Sequence, residues 1–330
     1  MSGPVSCARA ALLVLVGALA LAPATAVLAQ DKEEPPKRTA GPVVDEEAEK
    51  NPTPQTAYAA FQRGLYLSAF KQAKILAEKG NAPAQTLLGL IHQNGVGVPA
   101  SQSKAIQWYS AAALAGDPEA QFALGLILAR GEGTEVDKEK AKGWFEAAAA
   151  QDHVEAHYNL ALLYMEGDVV ERDFKRAAQL LGFGADREHP ESLYNLAILY
   201  AEGQGVEKNK EQAASLMGRA AAQNLPVAEV EYAIMIFRGE GVKQDEALAA
   251  SWLTRAARGG NAVAQSRLAK LYAAGRGVKT DSVSAAFWYS LARARGLTDP
   301  SLEALLASLT DEERAAVDKR AASWATGFVR

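Results

Sequence analysis

Two histidines four residues apart, His153 and His157, form the pair in this sequence best suited to chemistry. On a helix that spacing puts both rings on one face, as zinc ligands require. The zincin pattern H-E-x-x-H also needs a glutamate directly after the first histidine. Here the run is HVEAH, so Glu155 stands third. Gly203-Gln204-Gly205 is a second candidate, because glycine-rich turns let backbone amides cradle phosphate. The dinucleotide form needs a third glycine, where this chain has Lys208. No nucleophile–base pair stands out, and the carboxylates are scattered as on a solvated helical face. No catalytic residue, metal or cofactor is expected.

The glycines explain themselves once the elements around them are laid out. Gly95, Gly131, Gly167, Gly203, Gly239 and Gly275 recur every 36 residues. A second series, Gly97, Gly133, Gly205, Gly241 and Gly277, is broken only by Val169. A nucleotide site would occur once; a turn repeated at one period is architecture. Other positions keep the same register. Ala105, Ala141, Ala177, Ala213, Ala249 and Ala285 form one series; Trp108, Trp144, Leu180, Leu216, Trp252 and Trp288 form another. Leu88, Leu124, Leu160, Leu196, Tyr232 and Leu268 each precede a small residue.

Each unit reads as two helices. Helix A, such as 190–201, has apolar residues at helical spacing and stops at the glycine turn. Helix B starts at a residue able to cap it: Ser101, Asp137, Asp173, Asn209, Asp245 or Asp281. By the same period His153 and His189 fall in the loop before helix A, where other units carry Asn81, Asp117 and Asn261. That makes them loop or capping residues. The tryptophan series is expected to be core. The small Ala and Gly positions allow close helix approach.

The chain has 330 residues, 49% of them apolar, with few aromatics and a net charge of −4. Nothing in that balance forms the basic footprint of a nucleic-acid binder. Residues 1–29 read as a secretory signal. Arg9 precedes the apolar run AALLVLVGALAL, and small-residue cleavage options end at Ala26 or Ala29. The run is short for a membrane span, so none is expected after cleavage. The one cysteine, Cys7, lies in the signal, leaving a mature chain without disulfides. Residues 30–56, rich in proline and charge, read as a disordered linker. Residues 57–80 read as an N-terminal capping helix pair. Six repeats are expected at 81–116, 117–152, 153–188, 189–224, 225–260 and 261–296. The segment 297–330 reads as capping helices, with a Thr310/Glu313 capping box and Trp324 packed on unit six.

The pattern A-x-x-x-L-G-x-x-x-x-x-G-x-G-V, then A-x-x-W and A-A, resembles the Sel1-like repeat family, relatives of the tetratricopeptide repeats. AQTLLGLIHQNGVGV and AQSRLAKLYAAGRGV display it well. The resemblance covers residues 81–296 and implies an all-α fold, a right-handed α-solenoid with a concave wall of A helices. Cysteine-rich members pair thiols between helices; this chain lacks the cysteines. Aligned on the packing Leu-Gly of tetratricopeptide repeats, the wall would present Glu119, Phe122, Glu155, Tyr158, Asn159, Glu191, Tyr194 and Asn195. Such a strip suits a protein or extended peptide with basic side chains. Together with the signal-type N-terminus this gives an expected exported, periplasmic or secreted, non-enzymatic scaffold; the resemblance allows a role as a regulator of an envelope signalling or assembly complex. The alternative from another class is a cell-wall (peptidoglycan) enzyme or its accessory, which would need carboxylates converging with perturbed pKa.

Overall fold

The structure, a computed structural model, describes residues 49–327, with side chains through Trp324. The signal segment and residues 30–48 of the expected linker lie outside the described residues. The first helix pair is α1 (Pro54–Gln62) and α2 (Tyr66–Ala77). Six A/B pairs follow: α3 (Ala82–Asn94) with α4 (Gln102–Leu114), α5 (Pro118–Arg130) with α6 (Lys138–Ala149), and α7 (Val154–Glu166) with α8 (Phe174–Ala185). Then come α9 (Pro190–Glu202) with α10 (Lys210–Ala222), α11 (Pro226–Arg238) with α12 (Glu246–Arg258), and α13 (Ala262–Ala274) with α14 (Ser282–Arg293). α15 (Pro300–Ser308) and α16 (Asp311–Gly327) close the array. No strand occurs among the described residues, and none of their helices is long and apolar enough to cross a membrane.

Local chemistry sets these boundaries. Every expected B-helix cap accepts the amide of the third helical residue, at 2.8–3.4 Å, satisfying a donor the helix leaves free. Each A helix ends on a glycine in the left-handed region, φ +65° at Gly95 and +77° at Gly167. The second glycine of the turn has a different duty. A Cβ on Gly205 would lie 2.2 Å from the Phe174 carbonyl carbon, at the start of the preceding B helix. Only glycine lets the turn approach so closely. Unit three, with Val169 there, ties its turn to the preceding unit differently: Lys138 Nζ reaches Glu166 at 3.1 Å and Asp168 at 2.9 Å.

The period predicts the core well at alanine and less well at tryptophan. All six alanines of the B-helix series are at most 1% exposed. Trp288 is buried, but Trp108, Trp144 and Trp252 are only half-buried. The deeper position is the next residue: Tyr109, Phe145, Leu181, Met217, Leu253 and Tyr289 are all buried. Tyr109 and Phe145 enter the gap over the small A-helix residue of their units. A Cβ on Gly89 would meet Tyr109 at 2.7 Å, and one on Gly125 would meet Phe145 at 2.6 Å. Trp252 instead lies across the interface edge, 5.6 Å from the Tyr232 ring with Arg255 over its face.

Both ends differ from the repeats. α1 begins inside the span read as linker, since Thr53 and Thr56 form a capping box ahead of it and Pro54 suits the first turn. At the other end Thr310 and Glu313 exchange backbone and side-chain bonds as a capping box. Trp324 meets Phe287 and Trp288 edge-on, at 5.8 and 5.4 Å between ring centres.

Candidate functional site along the A helices

The wall residues separate into two groups. Glu119, Glu155 and Glu191 sit in the first turns of α5, α7 and α9, with side chains 72%, 54% and 44% exposed. Carboxylates there also favour the positive end of each helix dipole. The aromatic residues turn inward between units. Phe122 packs 4.6 Å from the His153 ring and 5.9 Å from Phe145. Tyr158 lies 5.3 Å from His189, and burial with Glu191 nearby pushes its phenol up to about 12. Tyr194 and Asn159 are buried, which corrects the expectation that they line an open groove. The tyrosine joins the central apolar cluster. The Asn159 and Asn195 amides donate to the Glu155 and Glu191 carbonyls of their own helices, at 2.8 and 2.9 Å. They are thereby turned from a partner backbone. Asn195 also reaches Tyr158 of the preceding unit at 3.5 Å.

What lies between the glutamates is histidine. His153 and His189 are the N-caps of α7 and α9. His153 Nδ1 accepts the Ala156 amide at 3.2 Å; His189 Nδ1 accepts the Ser192 amide at 3.3 Å and faces Ser192 Oγ at 2.8 Å. His153 Nε2 is 3.4 Å from Glu119 of the preceding unit, and its Nδ1 is 3.4 Å from Glu155. His189 Nε2 is 3.3 Å from Glu191. The His153 contact holds the Glu119 carboxyl below its ordinary value. Burial lowers His189, opposed by Glu191 and then Glu155. The period placed these histidines at loop or capping positions; the contact of His153 with a glutamate one unit away has no local sequence signal.

The zinc-like spacing resolves differently. His157 Nδ1 faces the His153 carbonyl at 3.0 Å, and its ring stacks on Phe183 at 3.7 Å, away from the His153 ring's partners. Glu119 and Glu155 approach opposite nitrogens of His153, so the three cannot converge on one ion. Among the described residues no cluster of His, Cys, Asp or Glu is arranged to hold a metal. Where Glu166 and Asp168 converge, Lys138 pairs with both, and the Asp168 carboxyl is held low.

Stacked helix pairs in one register, joined through such inter-unit contacts, define a helical repeat scaffold. Residues 82–117, 118–153, 154–189, 190–225, 226–261 and 262–297 each match the Sel1 repeat family. The chain belongs to that family, whose repeats generally mediate protein–protein interactions and whose members are typically non-enzymatic. A Sel1 repeat protein from Oxalobacter formigenes is similar at 25% identity and TM-score 0.66, over 74% of this chain and 98% of that one. The protective antigen c5321 of uropathogenic Escherichia coli strains, described as displaying an SLR fold, is similar at 26% identity and TM-score 0.60. That match covers 84% of this chain and 69% of the antigen. No curated protein matches significantly.

Proposed function

We propose that this chain is an exported, non-enzymatic scaffold that binds a protein or extended peptide along its A-helix wall. In that role it acts as a regulator or adaptor in an envelope signalling or assembly complex. The observation that carries the binding reading is the comb of exposed carboxylates. Glu119, Glu155 and Glu191 occupy one position in three successive repeats, so their spacing is set by the stack rather than by flexible loops. Acidic groups in a rigid row favour basic side chains at matching intervals, and act most on association rate and partner choice. Export is supported by the signal-type pattern of residues 1–29.

N-terminal sequencing of the protein from its native cell tests the address. The reading expects a first residue between about 27 and 31, set by the small-residue sites before Gln30. Recovery of the intact N-terminus in a membrane fraction would contradict it.

A further inference from the structure

Along the edge of the wall, carboxylate and imidazole alternate: Glu119, His153, Glu155, His189, Glu191. We propose that this edge is a proton-sensitive device: a proton taken up by His189 withdraws the N-cap of α9 and sets a cation among the carboxylates that give the wall its charge. The charge half of the inference rests on the scaffold reading; the capping half stands on geometry alone.

The geometry requires neutral rings. Each Nδ1 accepts a backbone amide, so its proton must sit on Nε2, facing Glu119 or Glu191. A proton added at Nδ1 would oppose an N–H donor at the positive end of a helix. The Nδ1 of His153 also has Glu155 Oε2 at 3.4 Å. The six A-helix caps are Asn81, Asp117, His153, His189, Leu225 and Asn261. Histidine alone among these types titrates near neutrality. With His189 charged, a cation stands beside Glu191, with Glu155 of the preceding unit near.

The groups facing the two rings are few. His153 meets Glu119 and Phe122 from α5 and Glu155 from its own helix, with Asp152 in the loop before it. His189 meets Glu191 and Ser192 from its own helix and Glu155 and Tyr158 from α7. In the loop before it, Glu188 is paired with Arg219 of α10 and Arg187 lies on Phe183. Burial leaves His189 below its ordinary value. The cap it makes is thus fully present above the unfolded histidine value, about 6.5, and is lost as pH falls from there through the folded value. His92, buried in α3, is also lowered, by burial and by Lys104.

The test is therefore a comparison, with the full mature chain and a His189→Asn variant. Asparagine keeps the cap, as Asn81 and Asn261 do at 3.0 and 2.9 Å. Between about pH 7.5 and 5.5, wild type should lose at least about 2 °C more in Tm than the variant. Equal losses would overturn the proposal. Ring nitrogen NMR above about pH 7 should place the proton of His189 on Nε2; a proton on Nδ1 would overturn it even if the variant folds poorly. A labelled peptide of alternating lysine and alanine supplies the binding arm. Its affinity for wild type should fall at least about threefold more over the same pH range than its affinity for the variant. A melting difference with peptide binding of equal pH dependence in both proteins would uphold the cap half and overturn the charge half alone; no peptide binding at any pH would overturn the charge half and, with it, the scaffold reading's basic partner.

Discussion

Gln151 Nε2 donates to Gln121 Oε1 at 2.9 Å, from the loop after one B helix to the buried face of the A helix before it. Gln121 in turn donates to the Ala113 carbonyl, at the end of the preceding B helix. Unit six repeats the arrangement: Gln265 donates to Ala257 and accepts from Arg295 at 3.0 Å. Unit one keeps half of it. Gln85 donates to Ala77, but the position that should answer its oxygen is Ala115, and Gln85 Oε1 is buried without a partner.

That gap predicts a stabilising substitution. Ala115→Gln should supply the missing donor and raise stability by about 1 kcal/mol, the net value of one intramolecular hydrogen bond to a buried group. Thermal unfolding of the single variant measures it. In a Gln85→Leu background, where there is no oxygen to answer, the gain should vanish.

The tryptophans should not behave alike, although the period makes them equivalent. Trp288 is 3% exposed and packed among Phe287 and Trp324, so Trp288→Ala should cost about 3–5 kcal/mol. Trp252 is half-buried at an interface edge, so Trp252→Ala should cost less, about 1–2 kcal/mol of lost apolar contact. Chemical denaturation of both variants orders them; a larger loss at Trp252 would refute the burial argument.

These contrasts mark what could be read in the residues and what could not. Caps and turns are local, so Asp137, Asn209 and Gly203 declare their roles within a few residues of chain. Equivalence between repeats is legible too, because period needs no geometry. Rotation of a helix about its axis is not. The buried B-helix position varies from Tyr109 to Leu181 to Met217, and so is less visible than the tryptophan that recurs beside it. The same uncertainty of rotation set Tyr194 and Asn159 on an open wall, when they lie inside. The contact of His153 with Glu119 joins two units and depends on how they stack, which no single unit encodes.

The wall itself is tested most directly by reversing its charge. The partner captured from an envelope extract by the immobilised mature chain would be titrated against three proteins: wild type, Glu119→Lys/Glu155→Lys/Glu191→Lys, and Glu139→Lys/Glu171→Lys/Glu211→Lys. The second triplet carries the same charge change on exposed residues off the A helices. Circular dichroism would confirm that all three keep their helix content. The account predicts that the wall variant loses at least about tenfold in affinity, mainly through a slower association that salt now speeds rather than slows, while the control binds as wild type does. Undiminished affinity in a folded wall variant, or an equal loss in the control, would contradict binding along the A-helix wall.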